Sequence, residues 1–249
     1  MSGHSHWAGI KHKKAANDAK RGKVWSKIAR TIIVAAKNGG GDPSANLSLR
    51  YAIDKAKQAS MPKDTIEKAV KKGAGAGDTI SFVTVLYEGY APGGVAMMAE
   101  ALTDNRQRTG PEIRKIFERH GGTLGTTGCV SYFFHKKGLI TVPLNAANEN
   151  DLMEIALAAG AEDFQNTGSV YEITCEPSAF DGLKKTFDEK KIPTEVAEMS
   201  MIPQNSVPVS NMEQARKILA IMDEFEEHDD VQNVYANFDI PNDIIAKLQ

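Results

Sequence analysis

The residues best suited to chemistry stand at the front of the chain. Lys11, His12, Lys13 and Lys14 are followed by Lys20, Arg21, Lys23, Lys27 and Arg30. If this segment is helical, at about 100° per residue, then Lys13, Lys20, Lys23, Lys27 and Arg30 fall within roughly a 100° arc. Trp25, Ile28 and Ile32 lie opposite. Such a helix packs one face and presents a rail of cations on the other. Lysines are point charges that contact phosphates, which position a nucleic acid without reading its bases. Asp18 is the one acid interspersed, so an open polyanion-binding surface is expected rather than an ordinary solvated face. Gly22 interrupts the segment, and a bend there would split the rail into two patches. Trp7, set among Gly3, His4, Ser5, His6 and Gly9, could stack on an unpaired base or fold back to anchor the arm. His4, His6 and His12 have no cysteine or carboxylate partners at ligand spacing, so they predict no metal site.

Two further clusters carry charge. In the loop Thr103–Asp104–Asn105–Arg106–Gln107–Arg108–Thr109, Arg106 and Arg108 stand near the start of a helix, a geometry suited to anions. Alternatively, Asp104 and neighbouring carboxylates pair with them and fix the turn. Asp223, Glu224, Glu226, Glu227, Asp229 and Asp230 place six carboxylates in eight residues. That run reads as a solvated helix end, a contact for a basic protein, or a shield for the basic front of the chain.

Enzyme motifs do not emerge. There is no GxxxxGK[ST], no HExxH and no GxSxG, and the GxGxG at 73–77 lacks a preceding strand. Cys129 is expected mid-strand on a core face, as an inert thiol. The sequence therefore reads as non-enzymatic, with no cofactor.

The elements that must position these residues follow from composition and periodicity. The 249 residues are 41% hydrophobic and 25% charged, fractions of a globular multidomain protein. No apolar run approaches a membrane span or a secretory signal, and two distant cysteines fit a reducing compartment, so a cytoplasmic protein without membrane contact is expected. The net charge of −2 conceals a segregation. Residues 1–75 hold 16 Lys and Arg against 5 acids, a net of +11, while residues 76–249 carry −13. A front end built to meet polyanion follows.

Residues 1–78 read as an all-helical, basic nucleic-acid-binding domain. Trp25, Ile28, Ile32 and Ala36 share one face of its main helix, and Asp42 and Pro43 supply the cap and first position of the next. A third helix begins at Pro62, and the run Gly73–Gly77 is expected to be a linker that packs nothing. Strands Ser81–Tyr87 and Val95–Thr103 follow, then a helix capped by Thr109 and Glu112, a glycine-rich turn and a strand Cys129–Phe134. Residues 137–204 show the order βαββαβ of a ferredoxin-like α+β domain. A helix capped by Ser210 and Glu213 and a strand Val231–Phe238 close the chain. Residues 79–136 hold too few elements to close alone, so 205–249 are expected to return and complete a discontinuous α+β domain, with 137–204 inserted in it. The fold class is thus multidomain: an all-α N-terminal domain plus two α+β domains.

The leader Gly3–His4–Ser5, Trp7 and Ile10–Lys11–His12–Lys13–Lys14–Ala15 resembles the start of the YebC family, which includes the mitochondrial translational activator of cytochrome oxidase. The likeness continues through Gly39–Gly40–Gly41–Asp42–Pro43, Met61–Pro62–Lys63–Asp64, Tyr87–Glu88–Gly89–Tyr90, Pro92–Gly93–Gly94, the Thr103–Thr109 loop and Gln232–Phe238. His6, Ala91 and Gln107 depart from the usual lysine, glycine and asparagine. The resemblance implies a three-domain, non-enzymatic regulator of gene expression. By family label it is a DNA-binding transcriptional regulator; other members look like ribosome-associated factors, which would make ribosomal RNA and the ribosome the partners. A protein-interaction adaptor using the acidic body is the reading from another class. Target sequence and oligomeric state are not legible.

Overall fold

In a computed structural model the protein is described over residues 18–75, 82–241, 244, 247 and 248, with side chains from residue 22 onward. Three helices open this span: α1 (Asp18–Gly39), α2 (Leu47–Gln58) and α3 (Lys63–Ala74). Their apolar stripes meet in one core of Ile28, Ile32, Ala36, Leu49, Ala52, Ala56, Ile66 and Ala69. The expected inward face of α1 is therefore correct, with half-buried Trp25 donating its indole N–H to the Ala59 carbonyl at 2.9 Å.

Three local expectations in this unit are corrected. Gly22 does not bend α1, which runs through it as one helix. Asp42 does not cap α2; its carboxylate instead accepts from the Ser44 N–H at 2.8 Å and holds a turn. The cap is Asn46, whose side chain accepts from the Leu49 N–H at 3.1 Å and donates to the Ala35 and Gly40 carbonyls at 2.8 and 2.9 Å. Gly73 is no loose linker. It is buried in the last turn of α3, where a Cβ would stand 2.3 Å from the Ile33 carbonyl oxygen. Only the missing side chain lets α3 cross α1 this closely.

Next come β1 (Val83–Ala91), β2 (Val95–Thr103), α4 (Arg106–Arg119) and the short β3 (Thr123–Leu124). A 3-10 turn at Ser131–Phe133 replaces the expected strand at 129–134; the strand β4 runs from Phe134 to Pro143. It is followed by α5 (Glu149–Ala158), β5 (Ala161–Asn166), β6 (Val170–Cys175), α6 (Phe180–Glu189) and β7 (Val196–Pro203). The chain ends with β8 (Val207–Pro208), α7 (Met212–Glu227), β9 (Val231–Ala236) and β10 (Phe238–Asp239). Asn105 and Asn211, not Thr109 and Ser210, cap α4 and α7.

Two four-stranded antiparallel sheets organise these elements, with strand orders β3-β1-β2-β9 and β5-β6-β4-β7. Alternation along β2 sends Val95, Met97 and Ala99 into a core with Ile113 and Phe117 of α4 and Ile218, Met222 and Phe225 of α7. Ala96 and Met98 face the other way, onto Val130, Phe134 and Tyr235. The second sheet packs Ile140, Val142 and Ile173 on Leu152, Leu183 and Phe187. No helix among the described residues is long and apolar enough to cross a membrane.

Candidate nucleic-acid interface

The rail of α1 does not stand open along its described length. Lys23 and Lys27 donate to the Glu227 and Glu226 carbonyls, at 3.4 and 2.5 Å, in the last turn of α7. Arg30 donates to the Asp229 carbonyl at 2.9 Å and to the Asp230 carboxylate at 3.0 Å. The physical reason lies in α7. Its last turn carries no basic residue while Glu224, Glu226 and Glu227 crowd it, so terminal carbonyls and carboxylates add their negative potential. Cations from α1 supply the missing complement. The expected open rail is corrected at these three positions: the acidic run is a docking site for the front of the chain.

Asp230 is the node of this contact. Its carboxylate is 4% exposed and accepts from Arg30, from Arg108 at 2.7 Å, and from the Thr109 and Thr103 hydroxyls at 2.7 and 3.0 Å. Burial raises its pKa, but the bonds from Arg108, Thr109 and Thr103 outweigh that and hold the carboxyl below the usual range. Arg108 is also bound to Asp104 at 3.1 Å, and these carboxylates, Asp230 foremost, raise its own pKa. Of the two readings of that loop, Arg108 takes the structural one. Arg106 is exposed in the first turn of α4, with no ion pair to a described carboxylate.

A second set of contacts joins α2 to α6 and to the strands β7 and β9. Arg50 and Tyr51 both reach Asp181 of α6, at 2.6 and 2.9 Å. Lys55 donates to Glu198 of β7 at 3.1 Å and to Asn233 of β9 at 3.4 Å, and the Glu198 charge raises its pKa. Asp54 accepts from Lys184 at 3.2 Å. Among the described residues, Lys23, Lys27, Arg30, Arg50 and Lys55 of the helical unit are thus engaged by the acidic body.

Trp7, Lys11, His12, Lys13 and Lys14 lie outside the described residues, as do the side chains of Lys20 and Arg21. Among the described residues no group of three or more His, Cys, Asp or Glu is placed to hold a metal. Cys129 is corrected from a core strand to a half-buried turn, where burial and then the Glu88 charge raise its pKa.

Sequence reasoning missed Asp230 as a node, and it missed Glu88. The Glu88 carboxylate is buried and accepts from the Gly128, Val130 and Ser131 N–H groups at 2.7, 2.8 and 2.8 Å, shaping the glycine-rich turn. Burial opposes its charge, yet those three donors hold its carboxyl below the ordinary value. A carboxylate inside an otherwise apolar strand, 40 residues from a glycine-rich loop, was the available signal.

Taken together, the fold is a helical unit bearing cations, docked by its rail on two sheet-containing α+β units. The sequence matches the family profiles described as TACO1/YebC protein N-terminal domain, over residues 5–76, and TACO1/YebC second and third domain, over residues 82–238. The chain belongs to the TACO1/YebC family. It is 50% identical over 249 residues to a "Probable transcriptional regulatory protein" of Dictyoglomus thermophilum, covering 100% of both chains. A protein of the same name from Rubrobacter xylanophilus is also 50% identical, with 100% of this chain and 99% of that one covered. The crystal structure titled "Conserved Hypothetical Protein Aq1575 from Aquifex Aeolicus" superposes with a TM-score of 0.86 at 48% identity, over 95% of this chain and 98% of that one.

Proposed function

We propose that this protein is a non-enzymatic, nucleic-acid-binding regulator of gene expression that grips the phosphate backbone through its N-terminal unit. The observation that carries this reading is the segregation of charge, +11 over residues 1–75 against −13 beyond. It is supported by the regulatory name of the relatives. Lys11, His12, Lys13, Lys14, Lys20 and Arg21, with Trp7 for stacking, make the primary contact. Lys23, Lys27 and Arg30 reach phosphate only if a polyanion displaces the end of α7. The same reading takes 1–78 as the binding domain, 79–136 with 205–249 as a discontinuous α+β domain, and 137–204 as a ferredoxin-like insertion. The strand order β5-β6-β4-β7 supports the last.

Two targets fit. A duplex-DNA reader must offer a helix to the major groove, and the relatives' name favours DNA. The engagement of α1 by α7 favours the second target, folded ribosomal RNA, which is bound by shape rather than by an inserted helix. Crosslinking in cells followed by sequencing of the bound nucleic acid tests both. Promoter fragments support the first and ribosomal RNA the second; nothing above background refutes the reading.

A further inference from the structure

With α1 held by α7, the cations of the helical unit that still face outward are concentrated elsewhere. On α3 the buried Ile66, Ala69 and Gly73 form one side. Lys63, Lys68, Lys71 and Lys72 are exposed on the other, with only Asp64 and Glu67 between them. Glu67 lies 3.8 Å from Lys63, and Lys68 and Lys71 pair with no described carboxylate. Lys37 is exposed at the end of α1 and equally unpaired among the described residues. Lys37 stands seven residues beyond Arg30, hence on the same stripe of α1 as the docked rail but past the end of α7. It also stands one turn beyond Ile33, whose carbonyl touches Gly73 of α3. The unpaired cations of the unit thus stand at the far end of α1 and on the outer side of α3, whose Gly73 meets α1 while Lys68 and Lys71 lie on the opposite side of the helix.

We infer that this face, Lys37 with Lys68 and Lys71 and flanked by Lys63 and Lys72, is a phosphate-backbone contact for nucleic acid that remains available while the rail is docked. The inference rests on the nucleic-acid reading above and adds a location to it. Lysines without an accompanying arginine fork or amide suit contacts that hold a ribose-phosphate chain without base readout. No large apolar side chain is exposed on the face, so a protein partner would find no anchor there.

The test uses the full chain. Affinity for a short DNA duplex and for an RNA hairpin is measured between ~0.05 and ~0.3 M salt for the wild type, for Lys37→Gln/Lys68→Gln/Lys71→Gln, and for a control, Lys115→Gln/Lys185→Gln/Lys190→Gln. The control removes the same charge from exposed positions of the body, Lys115 on α4, Lys185 on α6 and Lys190 just past its end. Three lost contacts should make the slope of log K against log salt shallower by about 2.7 and weaken binding ~100-fold near ~0.15 M. Circular dichroism checks that both variants fold. A loss on either polymer well beyond the control supports the inference. If the wild type binds and the α3-face variant falls no further than the control, the inference is overturned while the nucleic-acid reading stands. No salt-dependent binding by the wild type overturns both.

Discussion

Replacing Asp230 by Asn isolates the charge at the docking node while keeping its shape. In the wild type four side chains donate to this carboxylate, two of them arginines, and the group is 4% exposed. The amide retains one acceptor oxygen, enough for the threonine hydroxyls, and turns a donor toward at least one guanidinium. Arg30, 29% exposed, loses a charge-assisted bond of about 1.5–3 kcal/mol. Arg108 keeps Asp104 and solvent, so its share is small. The expected cost is about 2–4 kcal/mol, toward the lower end of values for breaking a buried pair. Urea unfolding followed by tryptophan fluorescence is a suitable assay, because Trp25 sits between α1 and α2. The pH dependence gives the sign. A carboxyl held below its ordinary value adds stability that is fully present above the unfolded pKa, about 3.9, and fades as pH falls through the folded one. Wild type and variant should therefore differ near neutrality and begin to converge only as pH falls below about 4, through the lowered folded pKa. A difference under about 0.5 kcal/mol at neutral pH, or one that persists in acid, would refute Asp230 as the node.

Other perturbations have opposite signs at chemically similar positions. Gly73→Ala should lower stability by about 1–3 kcal/mol, since its Cβ would meet backbone of α1. Gly22→Ala should raise it by about 0.5–1 kcal/mol, because the site is an exposed helix interior with nothing within 4 Å of the new Cβ; thermal unfolding reads both. Asn46→Ala removes a cap and two buried donors, and should cost about 1–3 kcal/mol in the same assay. Glu88→Gln should speed hydrogen exchange at Gly128, Val130 and Ser131 by about tenfold or more, as at least one of their bonds is lost.

Periodic apolar positions were readable because burial is written in residue type: Ile28, Ile32 and Ala36 at helical spacing, and Val95, Met97 and Ala99 at alternate positions of β2. Caps were less readable. Asp42–Pro43 is the stronger local signal, yet Asn46 wins because its amide also satisfies two carbonyls of the α1 end. Gly73 looked like linker because a close helix crossing and a flexible run ask for the same residue. The fate of Lys23, Lys27 and Arg30 was hidden most deeply. Their partners lie about 200 residues away and are largely backbone carbonyls, which leave no mark on side-chain identity.

Polyanion binding by the N-terminal unit is tested most directly by the salt dependence of nucleic-acid affinity when Lys11, Lys13 and Lys14 are changed together to Glu. The wild-type chain should show log K falling against log salt with a slope steeper than about −3, at roughly 0.9 per phosphate. The triple variant should be flatter by at least about 2. A wild-type slope near zero, or a variant indistinguishable from wild type, would contradict the assignment of the grip to the front of the chain.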